Sequence, residues 1–406
     1  MPTTENPQMT SYNKKTVTDV NVKGKKVLLR CDFNVPLDKD TNEITDEGRI
    51  IASLPTINYL LDQGAAVIAC SHLGRPKGEI KPEFSLAPVA ANLAKHLGKP
   101  VIMAKDVIGP DAIRLTSAIA PGEIMLLENL RFHKEEEEND KEFAAMLAGM
   151  ADLFVSDAFG TVHRAHASTE GVSHFLPAVS GFLLKKELDF IGGALSDPKR
   201  PFVAILGGSK VSDKLGVIEN LLMKADTIII GGGMAYTFFK ARGGKIGQSL
   251  CQDAQLESVK KCEQLAKQRG VKLLLPPDCI VATEISNDVE TKSLPNGEIP
   301  DDLMGLDIGP VAIEEFTKEL IGAGTIVWNG PMGVFELSNF ARGTRAIAQA
   351  VADSGAITII GGGDSAAAIR QFGLQDKITH ISTGGGASLE LMEGKILPGV
   401  ACLLDA

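Results

Sequence analysis

Residues Thr358–Ile369 read TIIGGGDSAAAI. A β-branched run, three glycines and a small-residue run in succession predict a strand, a tight turn and a helix start, the arrangement in which backbone N–H groups point at an anion. Asp364 stands inside that turn, where its carboxylate would repel a phosphate. Either no phosphate binds there or a cation stands between the two. The plainer reading, Asp364 as an N-cap, stays open on this stretch alone.

The same pattern recurs on both sides of it. PFVAILGG, DTIIIGGG, VKLLLPPD, GTIVWNGP and HISTGGG follow one another through the second half, and most of these apolar runs end in glycine. Short apolar runs of this kind read as buried parallel strands, and ligands of open α/β sheets bind outside the carboxyl ends of such strands. The first half has KVLLR, AAVIAC, PVIM, EIMLL and DLFVSD in the same role, but its strands end in RCDFN, CSHLGRP, LENLRF and SDAFGTVHRAH, with polar and charged side chains replacing glycine. Helical patterns such as IIASLPTINYLLDQG and SLAPVAANLAKHLG lie between, the second opened by Ser85 as N-cap and closed by Gly98. The alternation predicts an α/β protein of two Rossmann-like domains, each a mostly parallel sheet flanked by helices. The change of character falls within Gly181–Pro201, GFLLKKELDFIGGALSDPKRP, which predicts a helical hinge joining them. KEEEEND, Lys134–Asp140, reads as a solvated helix start.

Bulk properties narrow the function. The chain has 406 residues, 44% hydrophobic and 23% charged, with a net charge of −10, which argues against nucleic acid or an acidic membrane as partner. Its six cysteines form no C-x-x-C pair, no apolar run is long enough to span a bilayer, and the opening MPTTENPQMTSYNKK has no apolar core of a signal peptide. A soluble cytoplasmic protein is expected.

Six arginines occur in the first 190 residues, and Arg30, Arg49, Arg75, Arg131 and Arg164 lie at or near turn-like motifs. Guanidinium forks bind carboxylate or phosphate oxygens in pairs, so several at one sheet edge suit a small polyanion; surface ion pairs are the alternative for any one of them. His72, His163 and His166 add donors without metal-site spacing. Asp32 and Asn34 could accept from substrate hydroxyls or cap a turn. In LGGSKVSDK, Lys210 and Lys214 stand four apart, on one face if helical, where phosphate oxygens or solvent would relieve their repulsion. Glu336 follows a glycine-rich turn and could accept from ribose hydroxyls. STGGGASLE offers a helix N-terminus free of an adjacent carboxylate. Neither G-x-x-x-x-G-K-[ST] nor G-x-G-x-x-G occurs, which removes the P-loop, protein-kinase and dinucleotide fingerprints, and with the last an NAD-dependent dehydrogenase.

Taken together the motifs resemble the phosphoglycerate kinase family. VLLRCDFNVPL, SHLGRPKG, LENLRFH, GTVHRAHAS, GGSKVSDK, GGGMAYTF, VWNGPMGVFE, IIGGGDSAAA and STGGGASLE occur in the family's order over nearly the whole chain. The resemblance implies reversible, Mg²⁺-dependent phosphoryl transfer from 1,3-bisphosphoglycerate to ADP, giving 3-phosphoglycerate and ATP. It implies a domain of residues 1–185, with the tail 397–406 packing back on it, that holds the glycerate ligand through Asp32, Phe33, Asn34, Arg49, His72, Leu73, Gly74, Arg75, Arg131 and Arg164. Residues 186–396 would hold the nucleotide through Gly208, Lys210, Lys214, Gly232, Gly233, Gly305, Asn329, Glu336, Gly361, Gly362, Gly363, Asp364 and Ser365. Arg49, Lys214, Gly363 and Gly385 would serve the group in transfer, and Asp364 the Mg²⁺ of the MgADP or MgATP complex. The family's chemistry needs charge stabilisation rather than a general base, which matches the Arg, Lys and glycine turns seen here. A monomer is expected, and a catalytically retired scaffold of the same fold is the alternative. Two departures from the family pattern are the residues preceding its usual start and Leu303, where many members have tryptophan.

Overall fold

The computed structural model describes residues 12–38 and 40–406. The start of the chain, where the departure from the family pattern was noted, lies mostly outside them. The chain forms two compact units, one running through Asp189 and taking in Ile396–Ala406, the other Phe190–Lys395.

The first unit is built on β1 (Lys26–Arg30), β2 (Ala66–Cys70), β3 (Ile102–Met103), β4 (Ile124–Leu126), β5 (Leu153–Ser156) and β6 (Ala178–Ser180). They form one sheet in the order β3-β4-β2-β1-β5-β6, every pair parallel. Chain direction across the sheet reverses at β1 and β5, so the loops leaving those two strands flank a crevice at their carboxyl ends. Val27, Leu29, Val67, Ala69 and Val155 are buried on one face against Ile50, Ile57 and Leu60 of the Gly48–Asp62 helix and Val89 and Leu93 of the Ala87–Leu97 helix. Gly98 closes the latter in the left-handed region at φ 62°. Its N-cap is Leu86 rather than Ser85: the Ser85 hydroxyl is drawn to Glu128 Oε2 (2.7 Å) and accepts only from Ala87 N (3.2 Å).

The acidic run is likewise not uniformly solvated. Lys134–Glu137 makes a single helical turn, and Glu136 on it is completely buried, accepting from Ser168. Four charges in a row masked the one that faces inward.

The second unit has β7 (Phe202–Leu206), β8 (Thr227–Ile230), β9 (Lys245–Ile246), β10 (Lys272–Leu274), β11 (Asp278–Ala282), β12 (Lys292–Pro295), β13 (Glu298–Ile299), β14 (Met304–Ile308), β15 (Thr325–Asn329), β16 (Ile357–Gly361) and β17 (His380–Ile381). Six of them form a second parallel sheet, β10-β8-β7-β15-β16-β17, whose reversal lies between β7 and β15. Trp328 is fully buried in it and donates from Nε1 to the Gly330 carbonyl (2.7 Å), tying the strand to the turn that follows. The sequence reading did not foresee the antiparallel sheet β12-β11-β14 or the short β13-β9 pair inserted into this unit.

The connecting segment is helical throughout: Phe182–Glu187 is α-helical, Leu188–Gly192 π-helical and Gly193–Ser196 α-helical again. Its first amides are capped from outside the helix. Phe182 N donates to Thr56 Oγ1 (3.0 Å), and Leu183 N (2.9 Å) and Leu184 N (3.1 Å) donate to Asp157 Oδ1. Burial pushes the Asp157 carboxyl up to about 7, against the lowering effect of these bonds. The folded state therefore binds this proton more tightly than the unfolded chain. Stability from it is present in full below the ordinary carboxylate range and is lost as pH rises through about 7. Thermal unfolding of Asp157→Asn should show a shallower fall over that range, by at most about 1.4 kcal/mol per pH unit. A residual slope should persist from Asp307, which burial also raises to about 7.

Candidate active site

Arg30, the last residue of β1, is 1% exposed, and its guanidinium donates to Ser168 Oγ (2.8 Å), to the Cys31 carbonyl and to His72 Nδ1 (3.2 Å). Its guanidinium is buried, unlike those of Arg75 and Arg164. Arg49, in the first turn of the Gly48–Asp62 helix, keeps 40% of its side chain exposed while pairing with Asp32. Asp32 also accepts from Asn34 N (3.2 Å), and Asn34 Oδ1 accepts from Gly74 N (2.8 Å), so both residues shape turns and Asp32 also holds a cation in place. Arg131 is buried, donates to the Gly74 carbonyl (2.8 Å) and lies 3.3 Å from Glu137. Arg75 and Arg164 are exposed, and neither side chain has a hydrogen-bond or ion-pair partner among the described residues. The ion-pair alternative therefore fails for them. Phe33 and Leu73 put their side chains in the core and spend their amides on Ser71 Oγ (2.8 Å) and Asn129 Oδ1 (3.1 Å).

So many cations change the histidines. Burial, followed by the charges of Arg30, Arg131 and Arg49, holds His72 well below the usual imidazole range. Burial and the charges of Arg131, Arg30 and Arg164 bring His166 down to about 4. Both are neutral donors or acceptors at neutral pH, not additional cations. The charges of Arg30 and Arg131 reach both histidines, that of Arg49 reaches His72 and that of Arg164 reaches His166.

The second unit has a cleft outside the carboxyl ends of β7, β15 and β16. One part, about 450 Å³, is walled by glycines and by Tyr236, Leu250, Met304, Leu306, Met332 and Val334, with Glu336 on its lining. The other, about 280 Å³, is lined by Lys210, Lys214, Asn329, Gly362, Gly363, Ser365 and Gly385. Gly208, Ser209 and Asp364 belong to both. An apolar compartment thus meets a cationic one at a single carboxylate. Asp364 is not the cap of its helix: the helix runs Gly363–Gln371, its N-cap is Gly362, and the Asp364 carboxylate has no hydrogen-bond or ion-pair partner among the described residues.

Lys210 and Lys214 do not share a helix face. They bracket the one-turn 3₁₀ helix Val211–Asp213, and Lys214 is the N-cap of the Leu215–Leu221 helix. Lys214 is half-buried and donates to Asn329 Oδ1; burial lowers its pKa, opposed by Asp213, Asp364 and Glu393. Lys210 is exposed and unpartnered among the described residues. Ser365 is fully buried, and its hydroxyl accepts from Gly330 N (2.6 Å), so it fixes one turn of the cleft against another. Gly232 and Gly233 line the apolar part with Gly305, whose Cβ, were it present, would lie 1.9 Å from the Tyr236 hydroxyl. Gly361 ends β16 beside Asn329, and Gly385, at φ 52°, opens the Gly386–Met392 helix.

A family model described as phosphoglycerate kinase matches residues 17–395. The chain belongs to the phosphoglycerate kinase family. A phosphoglycerate kinase of Chlorobium phaeobacteroides (strain BS1) is 56% identical over 396 residues, covering 97% of this chain and 100% of its own. The cytosolic phosphoglycerate kinase of Triticum aestivum is 57% identical over 395 residues, covering 96% and 98%. The solved phosphoglycerate kinase of Coxiella burnetii superposes with a TM-score of 0.89 at 44% identity, covering 96% of this chain and 98% of its own. Likeness at this level and extent supports a kinase and gives no support to a retired scaffold.

Tyr236, Asp307, Met332 and the β14 residues Met304 and Leu306 were missed by the sequence reading, although all line the cleft. The Asn296–Gly297 pair, with Gly297 at φ 89°, is a turn signal that marked the inserted antiparallel strands. Gly305→Ala should push its methyl into Tyr236 and deform the apolar compartment, at a cost of about 1–3 kcal/mol. Titration calorimetry should show weakened ATP binding with 3-phosphoglycerate binding retained.

Proposed function

We propose that the chain transfers a phosphoryl group reversibly from 1,3-bisphosphoglycerate to ADP, with the glycerate ligand on the arginine cluster of the first unit and the nucleotide in the cleft of the second. The observation that carries the nucleotide assignment is the division of that cleft: an apolar compartment, a lysine-bearing one, and, where they meet, Asp364 without a hydrogen-bond or ion-pair partner among the described residues. Nucleoside and phosphates are chemically distinct in the same way. Glu336, on the lining of the apolar compartment, would accept from ribose hydroxyls.

No group of three or more metal-ligating side chains occurs among the described residues. A lone carboxylate suits Mg²⁺, which keeps most of its shell as water and phosphate oxygen and takes one or two carboxylates from a protein. Asp364 would hold it, and the ion would supply positive charge against the phosphate oxygens. The protein's own residues do the remainder. In the ATP-forming direction an anionic oxygen of ADP attacks phosphorus while the bond to the acyl oxygen breaks, and the leaving group is a carboxylate. Both oxygens are ionised at neutral pH, so no residue needs to take a proton. Lys210, Lys214 and the amides at Gly363 and Gly385 oppose charge on the nucleotide side; Arg49 opposes it at the group in transfer. Arg75, Arg131 and Arg164 orient the glycerate ligand, with Asp32 and Asn34 holding the turn.

The proposal includes action as a monomer in the cytoplasm, the location being in keeping with cysteines that form no C-x-x-C pair.

Two measurements test these roles. Asp364→Asn should fold normally and require more Mg²⁺ for half-maximal rate; an unchanged magnesium titration would remove the metal role. Arg49→Ala should lower kcat on the order of 10³-fold with a smaller change in the KM for 3-phosphoglycerate, the mark of a contact made mainly in the transition state. Arg75→Ala should act chiefly through that KM. A normal kcat in a stably folded Arg49→Ala enzyme would refute the assignment.

A further inference from the structure

Behind the arginine cluster runs a buried chain of polar groups drawn from four distant parts of the sequence. Glu136, completely buried, accepts from the Ser168 hydroxyl at Oε1 (2.5 Å) and from Ser168 N at Oε2 (2.9 Å). The Ser168 oxygen in turn accepts from Arg30 Nε (2.8 Å), and the far end of the same guanidinium reaches His72 Nδ1 (3.2 Å). A third contact, to the Cys31 carbonyl, fixes the plane of the fork.

The direction of each bond follows from what the groups can do. Ser168 has one hydroxyl proton and gives it to Glu136, so toward Arg30 it acts as acceptor. A guanidinium has only donors. His72 Nδ1 must therefore carry a lone pair, and the ring proton sits on Nε2. No protein group among the described residues bonds that nitrogen.

We infer that Glu136, Ser168 and Arg30 are positioning residues that hold His72 with Nδ1 as acceptor and Nε2–H as donor, so that the ring offers an anionic ligand a directed hydrogen bond. Burial and the surrounding arginines, which disfavour the imidazolium, support this. The alternative tautomer would present a lone pair to the ligand and repel it. Glu136 also compensates a buried cation that would otherwise be isolated. The inference rests on placing 3-phosphoglycerate at the arginine cluster.

The test uses the full chain carrying ¹⁵N-histidine. Wild type should show the Nε2–H pattern for His72 at neutral pH, and its resonance should move on saturation with 3-phosphoglycerate. Arg30→Lys keeps the charge but loses the fork, and Ser168→Ala breaks the chain without altering charge. Each should give a mixed tautomer and a KM for 3-phosphoglycerate raised roughly 5- to 10-fold, with the KM for ATP unchanged. Ser168→Ala removes only a hydroxyl and serves if Arg30→Lys does not fold. An Nδ1–H or charged ring in wild type, or an unchanged tautomer and KM in the folded variants, would overturn the inference while leaving the ligand assignment standing if the resonance still moves. A His72 resonance indifferent to 3-phosphoglycerate would overturn both.

Discussion

In the second unit Leu206, Asn329 and Gly361 lie side by side on three adjacent parallel strands, so the turns that follow them leave the sheet at one level. The first unit repeats the arrangement with Arg30 between Cys70 and Ser156. Register is thus what gathers residues more than a hundred positions apart into a site. Shifting one strand by a single residue would both misalign the turns and exchange the side chains on its two faces. Because the strands are parallel and buried on both faces, such a slip has no tolerable alternative packing.

Given that register, the two sites solve opposite electrostatic problems. The first unit collects guanidinium groups that repel one another before any ligand arrives. Asp32, Glu136 and Glu137 offset them, and the histidines answer by staying neutral. The second unit relies less on side-chain charge and more on bare backbone, with Lys214 restrained by Asn329. Glycine there is a matter of volume as well as conformation: at Gly305 there is no room for even one carbon.

Much of this was legible in the residues. Apolar runs with glycine at their ends located the parallel strands, and Arg75, Arg164 and Lys210, singled out by their place in turn-like motifs, are exposed and unpartnered among the described residues. The rest depended on facts that no local pattern encodes. Glu136 sits in a run of identical neighbours, and only the three-dimensional meeting with Ser168 distinguishes it. Arg30 looks like any other motif arginine until its burial is known. Lys210 and Lys214 have helical spacing, but a 3₁₀ turn intervenes before the Leu215–Leu221 helix begins. The antiparallel insertion has short strands, of which β12 is mostly exposed, and it offered little against a background of stronger helical and strand periodicity.

The tail has an effect on the order of events during synthesis. Lys14 Nζ donates to the Leu403 carbonyl (3.1 Å) and to Asp405 (2.6 Å), a partner made 391 residues later. Gly399 N donates to the Val162 carbonyl (2.9 Å), and Gly399 packs against Val162 and Thr169, at either end of the loop that carries Arg164 and His166. A ribosome therefore releases the second unit's whole sequence before it supplies the piece that braces the first unit's loop. The cleft of the second unit is complete in sequence while the loop bearing Arg164 and His166 still lacks its brace.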